Sequence, residues 1–197
     1  MRRYILNPNG DCSATGIGSE MWMRYRKGDD TALESIVILY RDNLMFYING
    51  YVKNISVAED ILSEVFLKLV IHAKRFREES SIKTYLYRIA TNASIDYIRK
   101  QSRRNSTVLE ECYELYDESQ ELEKIVMNNE QKRELHEAMQ QLKAEYRNAL
   151  FLVYFEGLSY VEAAKILGCS IKQVNNSIYR AKQSLRSIYQ REGFSFE

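Results

Sequence analysis

At 197 residues the chain can build one large or two small domains with real cores, and its single proline, Pro8, leaves long helices uninterrupted. The net charge of +1 excludes a uniformly basic nucleic-acid binder, but the charge is unevenly placed. Residues 20–104 carry 15 basic and 11 acidic side chains, residues 105–130 one and eight, and residues 131–197 10 and seven. Two mildly basic blocks therefore flank an acidic connector.

No stretch approaches the roughly 18 uninterrupted apolar residues of a membrane helix. The start, MRRYILNPNGDCSATGIG, has charge without an apolar run long enough for a signal peptide. No membrane insertion and a cytoplasmic localisation are expected. Cys12, Cys112 and Cys169 lie far apart and are odd in number, which does not suit a disulfide framework, and His72 and His136 are equally isolated. No metal, cofactor or catalytic residue is assigned.

In chain order, residues 1–19 lack apolar periodicity and read as a loose tail. Helical patterning begins near Glu20, breaks at Gly28, Asp29 and Asp30, and resumes with Thr31 as a candidate start. A turn is expected near Asn49 and Gly50 or at Asn54 to Ser56. The next helix, about Val57 to Ala73, has an apolar stripe of Ile61, Leu62, Val65, Phe66 and Leu69. Beside it lie Glu59, Asp60, Ser63 and Glu64. These are either a solvated first turn complementing the helix dipole or a docking face for a basic partner.

A polar loop, Arg77 to Ser81, leads into a long helix from Ile82 to Arg104. Its core face reads Ile82, Leu86, Ile89, Ala90, Ala93 and Tyr97. Thr84, Arg88, Thr91, Asn92 and Arg99 fall on the other side, with Tyr85 and Tyr87 at the flanks and Arg99, Lys100, Arg103 and Arg104 at the end. Basic groups interleaved with aromatics suit single-stranded or distorted nucleic acid, with bases stacking on rings while cations follow phosphates. The plainer reading is a core helix whose terminal cations favour its dipole. After the acidic connector, helices are expected from Glu130 to Leu142 and from Tyr146 to Phe155, with a break near Lys143 and Ala144.

Residues 157–186 read as two short helices around a tight turn. Ser159 caps the first, with Glu162 completing a capping box, and Gly168 ends it. Ser170 caps a second helix with Val174, Ile178, Ala181 and Leu185 as its apolar positions. Its other face carries Lys172, Gln173, Asn175, Asn176, Tyr179 and Arg180, and no acidic residue occurs between Ser170 and Arg191. Helix, turn and polar face together form a helix-turn-helix signal for the DNA major groove, where asparagine pairs with adenine bidentately. The alternative is an ordinary helical hairpin with a solvated face. Cys169, in the turn, reads as a small buried filler.

Taken in order, VAEDILSEVFLKL, IKTYLYRIATNASIDYIRK and LVYFEGLSYVEAAKILGCSIKQVNNSIYRAKQSL resemble the sigma-70 family of transcription initiation factors, in particular its compact extracytoplasmic-function (ECF) type. The resemblance implies an all-α fold of two small helical domains, a region 2 bundle and a region 4 helix-turn-helix, joined by an acidic linker. The expected division is a flexible tail (1–19), region 2 (20–104), linker (105–129), region 4 (130–191) and C-terminal tail (192–197).

It also implies a set of roles. Glu59, Asp60, Ser63 and Glu64 would dock on the β′ clamp coiled coil of core RNA polymerase. Tyr85, Tyr87, Arg88, Asn92, Arg99 and Lys100 would recognise and melt the −10 element, with the loop before Ile82 receiving a flipped base. Ser170, Lys172, Gln173, Asn175, Asn176, Tyr179 and Arg180 would bind the −35 element of promoter DNA, and Leu150 to Phe155 would hold the β flap. An anti-sigma factor is a further expected partner. Asn175, Asn176 and Ser177 stand where relatives often carry basic, serine and basic residues, which implies a shallower salt dependence and an adenine-containing −35 sequence. The alternative function is a free-standing, dimeric helix-turn-helix regulator.

Overall fold

The computed structural model describes residues 13–73, 81–105, 135 and 137–192, and every regular element among them is helical. They fall into two compact units. The first contains α1 (Ser13–Arg26), α2 (Asp30–Val52), α3 (Ile55–Ile71) and α4 (Ile82–Asn105). The second contains α5 (Ala144–Leu150), a π-helical turn (Phe151–Phe155), α6 (Tyr160–Leu167) and α7 (Ile171–Glu192).

In the first unit α2 packs on both α3 and α4, and α3 packs on α4. The core is Ile36, Leu44 and Ile48 from α2, Val65 and Leu69 from α3, and Ile82, Leu86 and Ala90 from α4, with Trp22 brought in by α1. Helix α1 begins at Ser13, upstream of the expected start near Glu20. Burial of Trp22 anchors it, and Gly18 permits its approach: a side chain there would meet the Tyr40 hydroxyl and Ile82. The α1–α2 corner is closed by Asp29, which caps α2 by accepting from the Thr31 N–H at 3.2 Å and its hydroxyl at 2.6 Å. Arg24 pairs with the same carboxylate at 2.7 Å. These bonds hold the Asp29 carboxyl below its usual range, Thr31 contributing most.

Of the two positions at which a turn is expected, Asn49 and Gly50 are helical, because both residues are buried in the α2 packing face. The chain turns beside the other, Asn54 to Ser56, at Lys53, whose left-handed backbone (φ 54°) returns its N–H to the Asn49 carbonyl. Asn54 then caps α3 through the Val57 N–H at 3.0 Å.

In the second unit residues 137–140 are helical, and a break at residues 141–143 precedes α5. The single expected helix from Tyr146 to Phe155 is α-helical only to Leu150. It then widens into a π turn, with the Glu156 N–H bonded to the Phe151 carbonyl at 3.1 Å and the Phe151 and Phe155 rings stacked at 5.5 Å. Helix α7 packs on α5 and α6. Residues 106–129 of the expected linker (105–129), most of the loop before Ile82 (74–80), the start of the expected Glu130–Leu142 helix and the last five residues lie outside the described residues.

Candidate nucleic-acid interface

Three helices, α3, α4 and α7, carry the expected site residues. On α3, Glu59, Asp60, Ser63 and Glu64 all face solvent. The Ser63 hydroxyl donates to the Glu59 carbonyl at 2.9 Å, and Glu64 pairs with Lys68 at 2.6 Å, an exposed pair that contributes little to stability. The same row continues through Leu67 (59% exposed) and Ile71 (62% exposed), at helical spacing from Asp60 and Glu64. These two were not among the residues singled out in the sequence. The signal was present: both fall off the stripe formed by Ile61, Leu62, Val65 and Leu69, so neither can join that core.

On α4, Arg88, Asn92, Arg99 and Lys100 are exposed, and Arg88, Asn92, Arg99 and Arg103 lie in one row along the helix. Tyr85 is half-buried beside that row. Burial pushes its phenol up, and the Lys68 ammonium opposes this. Tyr87 corrects the expectation. It is fully enclosed (0% exposed), with its ring edge-on to Tyr47 at 5.1 Å, and offers no surface for stacking a base. Thr84 and Thr91, expected on the polar side, are also buried. Thr91 donates to the Tyr87 carbonyl at 2.8 Å and bonds the Tyr47 hydroxyl at 2.9 Å, while Thr84 bonds the Ser81 hydroxyl at 2.9 Å. Because α2 and α3 both cover α4, its buried arc spans far more than one stripe.

The α6–turn–α7 unit follows its local chemistry closely. Ser159 accepts from the Glu162 N–H at 3.3 Å, and the Glu162 carboxylate accepts from the Ser159 N–H at 3.0 Å, completing the expected capping box. Gly168 closes α6 in the left-handed region at φ 64°. Ser170 caps α7 through the Gln173 N–H at 3.2 Å, and Val174, Ile178 and Ala181 are buried as expected. Cys169 is half-buried, and burial pushes its thiol up.

Ser170, Lys172, Gln173, Asn175, Asn176, Tyr179 and Arg180 are all exposed on α7. Their side chains are not equally available. Gln173 folds back onto Ser170, and Arg180 reaches across to the Tyr146 hydroxyl of α5 at 3.3 Å, a bond that holds its charge above the usual arginine range. Lys182 bonds the Tyr154 hydroxyl and lies 4.5 Å from that ring's centre. Arg180, expected on the −35 element, and Lys182 thus both tie α7 to the elements beneath it. Tyr179, 63% exposed, accepts from Gln183 at 2.8 Å.

Comparison with known proteins agrees with this architecture. Residues 36–104 match the family model for sigma-70 region 2, and residues 132–185 match the model for sigma-70, region 4. The RNA polymerase sigma-H factor of Pseudomonas aeruginosa is 30% identical over 175 residues, spanning 85% of this chain and 91% of that one. The ECF RNA polymerase sigma-E factor of Haemophilus influenzae is 30% identical over 175 residues (85% and 92%), and SigM of Bacillus subtilis is 29% identical over 159 (81% and 96%). Among solved structures, CnrH in complex with the cytosolic domain of CnrY shares the fold with a TM-score of 0.63 at 18% identity, over 89% of this chain and 98% of that one. The sigma factor RpoE of Bartonella quintana, in complex with the anti-sigma factor NepR, does so with a TM-score of 0.62 at 21% identity, over 80% and 96%. With region 2 and region 4 both matched and full-length relatives at this identity, the chain belongs to the sigma-70 family of RNA polymerase sigma factors, in the ECF group.

Proposed function

We propose that this sigma factor binds core RNA polymerase through the exposed face of α3 and places α4 and α7 on the −10 and −35 elements of its promoters. The observation that carries this reading is the coexistence, on one chain, of an acidic–apolar α3 row (Asp60, Glu64, Leu67, Ile71) and two separate polar rows on α4 and α7. An acidic row with apolar neighbours suits a basic helical partner, in keeping with a β′ clamp coiled coil. Arg88, Asn92, Arg99 and Lys100, flanked by Tyr85, suit phosphates and unstacked bases of the melted −10 strand. The functional division is that of a region 2 unit over 20–104 and a region 4 unit over 130–191, joined by the acidic connector 105–129. The segment Leu150 to Phe155, which includes the π turn and has Phe155 at the surface, is the contact assigned to the β flap. The RpoE–NepR complex supports an anti-sigma partner for this chain as well.

On this reading the protein holds no active site of its own and works in the cytoplasm, the phosphodiester chemistry belonging to the polymerase. Among the described residues no helix is long and apolar enough to cross a membrane. Run-off transcription with purified core enzyme on promoter fragments tests it. Promoter-specific transcripts should require the protein and disappear with Asp60→Arg plus Glu64→Arg. Operator binding by the protein alone, with no core-dependent transcript, would establish a free-standing regulator instead.

A further inference from the structure

The first two turns of α7 separate residues that share an exposed side but differ in what they can do. The Gln173 side-chain oxygen accepts from both the Ser170 N–H and the Ser170 hydroxyl, each at 2.8 Å. The Ser170 hydroxyl in turn accepts the Gln173 N–H. This is a reciprocal capping box built with glutamine. Reading adenine bidentately requires an amide oxygen for the N6 amino group and an amide N–H for N7. In Gln173 that oxygen is already engaged.

Asn175 and Asn176 are exposed, and among the described residues neither makes a side-chain hydrogen bond, so each keeps both halves of its amide. Asn176 lies in one row with Lys172, Tyr179 and Gln183, directly opposite the buried Val174 and Ile178. Asn175 stands one turn on from Ile171, which is 50% exposed at the start of the helix, where a buried role is already closed to it. An exposed apolar side chain at the leading end of a groove-reading helix matches the thymine methyl, the apolar feature of the major groove. Tyr179 accepts from Gln183, which leaves its own hydroxyl proton to donate to a phosphate oxygen.

We infer that the −35 element is read at A·T pairs, with Asn176 and Asn175 on adenine edges and Ile171 against a thymine methyl. Gln173 is a positioning residue that fixes the first turn and reads no base. This rests on the placement of α7 on the −35 element.

The test is holoenzyme transcription from a promoter library randomised at −35, repeated with 7-deaza-adenine in place of adenine to remove the N7 acceptor. Asn176→Ala should reduce the preference for adenine at one position by about tenfold or more, and should be indifferent to 7-deaza-adenine there. Ile171→Ala should relax a thymine preference at a neighbouring position. Gln173→Ala should weaken transcription by the same factor on every library member, and Gln173→Glu, which keeps the cap acceptor, should recover the stability of the second unit with the preference unchanged. A preference that shifts with Gln173→Ala, or survives Asn175→Ala plus Asn176→Ala, overturns the inference while leaving the −35 placement standing. Wild-type transcription that ignores the −35 sequence altogether overturns both.

Discussion

Helices α4 and α7 are the two long polar-faced helices that carry the nucleic-acid candidates, and they are built on opposite plans. Helix α7 buries a narrow stripe of Val174, Ile178 and Ala181 and leaves most of the rest of its first four turns to solvent. Helix α4 buries Ile82, Lys83, Thr84, Leu86, Tyr87, Ala90, Thr91 and Ser94, an arc of about half its circumference at 100° per residue. A helix held along one stripe can vary its outward residues freely. A helix enclosed by two neighbours makes part of its polar-looking surface structural, and over its first three turns Arg88 and Asn92 are the exposed positions.

Breaking an enclosed aromatic should have the largest effect. Tyr87→Ala should cost about 3–5 kcal/mol and unfold the first unit at moderate temperature, as removal of a buried ring does. Tyr179→Ala should leave the stability of the second unit within about 0.5 kcal/mol of wild type while weakening promoter binding. Thermal denaturation followed by circular dichroism measures both. A Tyr87→Ala protein of unchanged stability would return that residue to the surface set and remove the contrast between the helices.

The turn between α6 and α7 sharpens the comparison, since it depends on backbone conformation alone. Gly168 has φ 64°, and a methyl group added at its Cα would meet nothing within 4 Å. Gly168→Ala should therefore cost about 1–2 kcal/mol through left-handed strain without any clash. Urea titration should show a shifted midpoint with an unchanged slope.

The smallest effect belongs to the α1–α2 corner. The Asp29 carboxyl is held below its usual range by Thr31 and Arg24. Its ionised form therefore favours the folded state at neutral pH. That contribution is fully present above the ordinary carboxylate range and is lost as pH falls through the lowered value. Asp29→Asn should flatten the acid limb of the stability profile of the first unit slightly, and an identical limb in both proteins would remove Asp29 from the account.

Much of the second unit is legible from residues alone. Capping boxes and glycine stops work between groups three residues apart, so Ser159 with Glu162, Gly168 and Ser170 behave in the fold as their spacing implies. The single apolar stripe of α7 is equally local information. The first unit is less legible. Asn49 and Gly50 look like turn residues, but burial carries α2 through them to Val52. Residues 13–19 look like tail in isolation, because nothing local shows that Gly18 seats against Tyr40 and Ile82.

Local sequence thus determined the helical class, the acidic connector's charge, the helix-turn-helix boundaries and the order of motifs that marks the family. Tertiary packing decided which polar-looking residues are free at the surface: it enclosed Tyr87, Thr84 and Thr91, and drew Arg180 and Lys182 onto Tyr146 and Tyr154. Capping and helix periodicity act within a turn or two of the chain. The number of neighbours around a helix is set by residues tens of positions away, and no local pattern records it.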